Sequence, residues 1–478
     1  MKVYIPMMNF LKMRIFSSKR EKQREKITEK TIEEIISHHI FDKIRGLFPR
    51  RKKSEEDLVD IALRSLRQEY EKSKDKEKHI ETLREKIFKA TSYIPNYNPF
   101  LTKLMYAAIK KIGRESVFDK LYITGYTNEV LEAARKGRLI ILATHNDMFD
   151  PVFVVYLFLE NGLEPPSFQV GDNLKKNINS FLLQRFNGMF IKRKDITDLD
   201  TLLYAKETEY LLKLGKNIVI YPDGTRSRDG KIAPLRNKTR IINGQKGLVK
   251  AMKRGFISAI LRANNKIKED IYYTTVTISS PIFLDILEDY QKEHSTGKKV
   301  PINAFRKLLN MKVYKSIDKD SGIYVDFTKP KKIPKGIRSI NNKPTRMFYT
   351  SIIRSKFKKN ITVLAEYIMA YTLRYLLIAE PHHHEFKSDR RLSTIKELYT
   401  CHAQHILKDK KIKHAYILEA VLDHSFEVAL KFYQKLNILS KDYLITNNLI
   451  LEYNSNRIQH FFKDDYPLVP EEQTHKKI

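Results

Sequence analysis

Three short segments of the chain hold residues whose types and spacing suit chemistry. In Ala143-Thr-His-Asn-Asp-Met-Phe-Asp150-Pro151, His145 and Asp150 form an H-x4-D pair. If the chain turns between them, the carboxylate can hold one imidazole nitrogen as N–H and leave the other to take a proton from a hydroxyl. That is a general-base pair without a built-in nucleophile. The spacing alone is weak, because composition predicts about one such pair by chance, and the same spacing recurs at His384 and Asp389. The second segment, Gly188-Met-Phe-Ile-Lys-Arg193, places two cations after a short apolar run. Arg193 offers a bidentate fork to a phosphate and Lys192 a point charge, although taken alone the pair reads more readily as surface salt-bridging. The third, Ile218-Val-Ile-Tyr-Pro-Asp-Gly-Thr-Arg-Ser-Arg-Asp-Gly230, leaves an apolar run through a Pro222-Asp223-Gly224 turn. It then presents the Thr225 and Ser227 hydroxyls, backbone N–H groups, Arg226 and Arg228, a loop suited to an anion.

Each segment needs an element to hold it. Leu139–Ala143 (LIILA), Met189–Ile191, Asn217–Tyr221 (NIVIY) and Ile271–Ser279 are short apolar runs bounded by polar turns, the pattern of strands covered on both faces. Thr201–Leu214 reads as an intervening helix, and Pro151 is placed to open another. Alternating strands and helices predict an α/β fold over residues 86–290, a mostly parallel sheet flanked by helices. In such sheets ligand-binding groups gather at the carboxyl ends of the strands, where all three segments begin.

On either side the texture differs. Residues 1–85 form a charged, helical N-terminal region, as in Ser18–Glu34 (SKREKQREKITEKTIEE), with a basic knot at Pro49–Lys53 read as a solvated loop. Residues 291–478 contain basic, turn-rich connectors (Lys298–Pro301, Lys329–Lys335) and then a largely helical region. The stretch Thr362–Ala379 approaches the roughly 20 residues of a membrane span, but Glu366 and Arg374 interrupt it, so it reads as a buried helix of a folded domain. Met1–Phe16 lacks the long apolar run and cleavage site of a signal peptide. From Met7 onward it suits an interfacial amphipathic helix or one packed on its own domain, the second being at least as favoured.

Composition narrows the class further. The 478 residues include 89 Lys+Arg against 56 Asp+Glu, a formal net charge of +33. With 25 Phe and 26 Tyr the chain can build a core, so wholesale disorder is excluded. The single cysteine, Cys401, excludes an intrachain disulfide and a Cys-rich zinc module, which suits a reducing compartment. So large a positive charge calls for an anionic partner: nucleic acid, membrane surface, acidic protein or small anionic substrate.

In their order and spacing, the three segments resemble the glycerolipid acyltransferase superfamily, over about residues 120–290. There an H-x4-D motif is followed by G-x-(hydrophobic)-R and then (F/Y)-P-E-G-T-R-S. The resemblance implies that His145 is the base that deprotonates a glycerol hydroxyl attacking an acyl thioester, with Asp150 as its orienting partner. It implies that Arg193 and the segment Gly224-Thr225-Arg226-Ser227 bind the substrate phosphate; Lys192 and Asp223, beside them, are read as substrate-binding too. Asp223 stands where the family usually has Glu, and the family's fourth motif, a Pro in an apolar strand, has no clear counterpart in Tyr273–Pro281. Gly171-Asp-Asn-Leu174, the Asp150-Pro151 step and the long N-terminal region look like the glycerol-3-phosphate branch. That favours acylation of glycerol 3-phosphate over acylation of its 1-acyl derivative.

The expectation is therefore direct transfer through a ternary complex. Acyl-CoA or acyl carrier protein would be co-substrate, with no other cofactor and no metal. The protein would be cytoplasmic and peripheral on an anionic membrane surface. Two readings compete. His382-His383-His384, Cys401-His402 and His405 invite a zinc site, but consecutive histidines cannot all converge on one ion. Basic residues are interleaved with acids along the whole chain instead of forming an arm or recognition helix, which argues against nucleic acid. A catalytically dead basic scaffold on the membrane would have no need of the His145, Asp150 and Arg226 set.

Overall fold

The computed structural model describes residues 21–35, 58–90, 97–113, 118–146, 150–171, 183–191, 196–224, 227, 230–236, 238–242, 245–249, 251–253, 255–281, 322–336, 343–409, 411–413, 422–446 and 449–462. Met1–Phe16 and Pro49–Lys53 lie outside these residues.

A mixed, mostly parallel sheet organises the chain. Its strands are β1 (Leu121–Gly125), β2 (Leu139–Ala143), β3 (Ser167–Gly171), β4 (Gly188–Ile191) and β5 (Ile218–Ile220). A separate antiparallel hairpin, β6 (Lys238–Ile242) and β7 (Gln245–Val249), follows. The sheet resumes with β8 (Tyr272–Ser279), β9 (Ile323–Phe327) and the short β10 (Lys331–Lys332). The strand order is β1-β9-β8-β2-β5-β3-β4, with β10 also on β8. Strands β8, β2, β5, β3 and β4 are parallel, whereas β9 and β10 run antiparallel to β8. All five residues of β2 are buried, as a continuous apolar run requires in the middle of a sheet covered on both faces.

The four apolar runs are all strands, and the helix expected from Thr201 spans Asp198–Lys213, started by a capping box between Thr197 and Asp200. Periodicity did not find β1, β3 or β9. LYITG and SFQVG mix polar with apolar residues, and IYVDF lies within a basic stretch beyond residue 290, yet pairs with both β1 and β8.

The helices are α1 (21–35), α2 (Leu58–Lys72), α3 (Lys76–Ala90), α4 (Pro99–Gly113), α5 (Thr127–Lys136), α6 (Asp150–Glu160), α7 (Asp198–Lys213) and α8 (Gly255–Lys266). After the sheet come α9 (Lys343–Lys359), α10 (Ala365–Ala379), α11 (Ser388–Lys408), α12 (Leu422–Lys435) and α13 (Leu449–Ile458). The charged N-terminal helices are amphipathic: Ile32, Ile35, Leu63 and Ile87 pack on Leu202 and Leu203 of α7. Glu34 of α1 meets Lys206, Arg262 and Lys266, and Arg67 donates to the carbonyls of Glu34 and Ile35 at the end of α1. Helix α10 is the interrupted apolar stretch, with Glu366 itself buried. Among the described residues no helix is long and apolar enough to cross a membrane. One hydrophobic core runs from Val130 of α5 through the sheet into α10–α13 and on to Phe462. The C-terminal helices thus share the core of the sheet.

Candidate active site

Parallel pairing brings the carboxyl ends of β2, β5 and β8 to one edge. Leu142 lies beside Ile220 and Ala143 beside Val276, so the chain leaves β2 and β5 at nearly the same level, while β8 continues past them to Ser279. After β2 the loop is tied down at once: Thr144 donates its N–H to the Val276 carbonyl at 3.0 Å, and its Oγ1 accepts from Ile278 N–H at 3.1 Å. The chain then enters α6, whose first turn carries Asp150 and Pro151. A proline there loses nothing, since an N–H in the first turn has no partner within the helix.

His145 Nδ1 lies 3.1 Å from Asp150 Oδ2. The same oxygen accepts the backbone N–H of Asn146 at 2.6 Å. Asp150 is fully buried at the positive end of α6, whereas 14% of the His145 side chain is exposed. An ionised carboxylate only accepts hydrogen bonds, so Nδ1 carries the proton and Nε2 is left as the basic nitrogen. If Nε2 takes a proton, the charge on the ring forms beside a carboxylate already held in place.

The third segment closes over this pair. Tyr221, the residue after β5, packs its ring 4.5 Å from the imidazole centroid. Burial, and then the Asp150 carboxylate, pushes the Tyr221 phenol well above its ordinary pKa, so it stays neutral. The Pro222-Asp223-Gly224 turn is pinned by Gly224 N–H to the Tyr221 carbonyl (2.9 Å) and Lys253 N–H to the Pro222 carbonyl (2.7 Å). Gly224 has φ +68°, and a Cβ there would stand 2.7 Å from Lys253 Cγ. Ser227 then donates its backbone N–H to the His145 carbonyl at 2.7 Å, which joins the third segment to the first. Its hydroxyl donates to the Lys231 carbonyl.

His145, Asp150 and Ser227 are thus brought together, with Asp223 and Gly224 in the turn between Tyr221 and Ser227. Strand β4 ends at Ile191 on the same sheet edge, while Lys192, Arg193, Thr225 and Arg226 lie outside the described residues. The C-terminal histidines are spread over different surroundings. His382 and His384 are exposed beside Glu385. His402 is buried among Tyr371, Tyr375 and Phe462, with Nδ1 3.0 Å from Thr372 Oγ1. Among the described residues no three His, Cys, Asp or Glu side chains converge as metal ligands would.

Residues 123–279 match the family model described as Acyltransferase. Over that third of the chain the sequence is similar to acyltransferases of the glycerolipid acyltransferase superfamily. It is similar to the glycerol-3-phosphate acyltransferase of Alteromonas mediterranea, 26% identical over 123 residues, which is 25% of this chain and 15% of that protein. It is also similar to the mitochondrial glycerol-3-phosphate acyltransferase 1 of Bos taurus, 31% identical over 119 residues, 23% of this chain and 14% of that protein. The matched stretch therefore spans about one seventh of the length of these relatives. Among solved structures, the 1-acyl-sn-glycerophosphate acyltransferase PlsC of Thermotoga maritima aligns at 14% identity, over 69% of this chain and 96% of that one, with a TM-score of 0.29.

Two residues of the matched stretch carry more than their sequence suggests. Asn146 lies inside the H-x4-D spacing, where any residue would satisfy the motif, yet it bonds Asp150 through its backbone and buries its side chain. Tyr221 precedes the Pro-Asp-Gly turn, and its aromatic character at the end of a buried strand was the one available hint of a ring contact.

Proposed function

We propose that the protein transfers a fatty acyl group from an acyl thioester, acyl-CoA or acyl carrier protein, to a hydroxyl of glycerol 3-phosphate. The observation that supports this most is the His145 Nδ1–Asp150 Oδ2 bond at the carboxyl edge of the sheet. Nε2 of His145 takes the proton of the attacking hydroxyl as its oxygen bonds the thioester carbonyl carbon. The tetrahedral intermediate collapses, the carbon–sulfur bond breaks, and the imidazolium gives its Nε2 proton to the leaving sulfur, which departs as the thiol and restores neutral His145. A positioned base of this kind contributes roughly 10²–10⁴-fold in rate. Arg193, Lys192 and Arg226, with the Asp223–Ser227 loop, hold the phosphate so that the hydroxyl is aligned, and no covalent acyl-enzyme is needed. The names of the relatives favour glycerol 3-phosphate as acceptor.

The product partitions into lipid, and the protein works as a peripheral enzyme at an anionic bilayer. Helix α4 supports that reading: Phe100 is 77% and Leu104 58% exposed on one face, beside exposed Lys103 and Lys111. Vesicles of anionic lipid should bind the protein more tightly than neutral ones, and Phe100→Glu with Leu104→Glu should weaken that binding several-fold. Equal binding by this variant would remove α4 from the contact.

The test of function is an acyl-transfer assay that crosses two acceptors, glycerol 3-phosphate and its 1-acyl derivative, with two donors, acyl-CoA and acyl carrier protein. Transfer to glycerol 3-phosphate is expected. Transfer only to the 1-acyl derivative would move the protein to the second acylation, and transfer to neither would overturn the proposal.

A further inference from the structure

The side chain of Asn146 is buried behind the histidine–aspartate pair. Its Nδ2 donates to the Ile278 carbonyl at the end of β8 (3.2 Å), and its Oδ1 accepts from Arg457 Nη1 of α13 (3.0 Å). Arg457 stands 311 positions further along the chain and is 2% exposed. Its Nη2 donates to the same Ile278 carbonyl at 2.7 Å. The planar fork therefore spans two acceptors that meet behind His145, a fit that the single ammonium of a lysine does not offer. The preceding turn of the same helix reaches both loops. The Tyr453 hydroxyl lies 3.4 Å from Asn146 Oδ1, and its carbonyl backs Gly230, where a Cβ would come within 2.1 Å.

Burying a guanidinium among neutral acceptors costs stability compared with an apolar side chain of similar volume. Its geometry shows what the charge holds. Asn146 has its backbone N–H on Asp150 Oδ2 and its side chain on Arg457, so the fork fixes the donor that fixes the carboxylate. We infer that Arg457 is a positioning residue for acyl transfer, acting through Asn146 to hold Asp150 and, through it, the orientation and tautomer of the His145 imidazole. The inference rests on the general-base reading of His145, and it gives the C-terminal helices a part in the chemistry.

A purely structural role for Arg457, as an anchor of α13, predicts something different. Arg374 of α10 anchors the same helix through Ser455 Oγ (3.1 Å) and Asn456 Oδ1 (2.9 Å), residues other than those that reach Asn146. The test compares full-length wild type, Arg457→Met, Arg457→Lys, Asn146→Ala and Arg374→Met. Labelling with ¹⁵N-histidine reads the ring tautomers, with His145 identified by the signals lost in His145→Gln. Wild type should hold His145 as the Nδ1–H tautomer. Arg457→Met and Asn146→Ala should shift it to a mixture and lower kcat about 10–100-fold, the effect of a small misplacement of a reacting group. KM for glycerol 3-phosphate should stay within about twofold, since the phosphate contacts are left in place. Arg457→Lys should fall between, and the Asn146→Ala/Arg457→Met double variant should be no worse than the worse single. Arg374→Met should lower the melting temperature and leave tautomer and kcat at wild-type values.

A wild-type tautomer and kcat in folded Arg457→Met, or equal losses in Arg374→Met, would overturn the inference. If Arg457→Met does not fold, Arg457→Lys and Asn146→Ala decide between the two roles by the same readouts. The tautomer readout needs no substrate, so an inactive wild type would count against the proposed reaction while the Arg457 inference is still decided by the spectrum.

Discussion

Among the described residues two histidine–aspartate pairs share one spacing, His145 with Asp150 and His384 with Asp389, and only the first is a pair in space. His145 leaves β2 and Asp150 opens α6, so the loop folds the fully buried carboxylate back on the imidazole at 3.1 Å. His384 sits in an exposed turn with its Nδ1 against the Pro381 carbonyl (3.1 Å) and its Nε2 3.7 Å from Glu385, while Asp389 is an exposed residue in the first turn of α11. The spacing permits the contact. A strand before it, a helix after it and a neighbouring strand to tie the loop are what make it. His402 adds a third environment, buried among the Tyr371, Tyr375 and Phe462 rings, and burial pushes its pKa down to about 4.

The largest expected effect falls on the buried pair. His145→Ala should lower acyl transfer by about 10³-fold or more, within the range a positioned base supplies, while circular dichroism and the melting temperature stay near wild type. His384→Ala should leave the rate within about twofold, since surface positions away from a site are close to neutral. Near-wild-type turnover in His145→Ala would erase the distinction between the two pairs.

A smaller, different effect is expected from the phosphate side. Arg226→Ala should raise KM for glycerol 3-phosphate about tenfold or more, the loss of one charge-assisted contact, with a lesser change in kcat. An unchanged KM would take Arg226 out of the phosphate site.

His402 should affect stability and not turnover. Its folded pKa lies below the unfolded value of 6.5, so between about 6.5 and about 4 the unfolded chain binds a proton that the folded chain refuses. Stability from this group is intact above about pH 6.5 and falls as the pH drops through that window, by on the order of 3 kcal/mol at its foot. In His402→Gln the drop in melting temperature between pH 7 and pH 4 should be visibly shallower. A parallel drop would mean that other groups set the acid sensitivity.

Much of this was legible in the sequence, for reasons that particular residues show. LIILA and NIVIY announce buried strands because a strand covered on both faces has no polar positions, and the segments after them are the ones that meet at the sheet edge. Thr362–Ala379 was readable as a buried helix from Glu366 and Arg374. The strand IYVDF was not found, because its partners β1 and β8 are remote in sequence and pairing leaves no local mark. Asn146 and Arg457 were missed for the same reason: one is an unspecified position within a motif, the other an arginine in the last helix, and only the fold brings them to 3.0 Å. The cations at Lys192, Arg193 and Arg226 are known from the sequence pattern alone.

The central claim is that the environment of the carboxylate, and not the H-x4-D spacing, makes a histidine a base. The most direct measurement is kcat for acyl transfer in Asp150→Asn beside Asp389→Asn, at equal folded fractions. The account predicts a loss of about 10²-fold or more for Asp150→Asn, because an amide no longer fixes the tautomer or supports the imidazolium, and no change for Asp389→Asn. Equal rates in the two variants would contradict it.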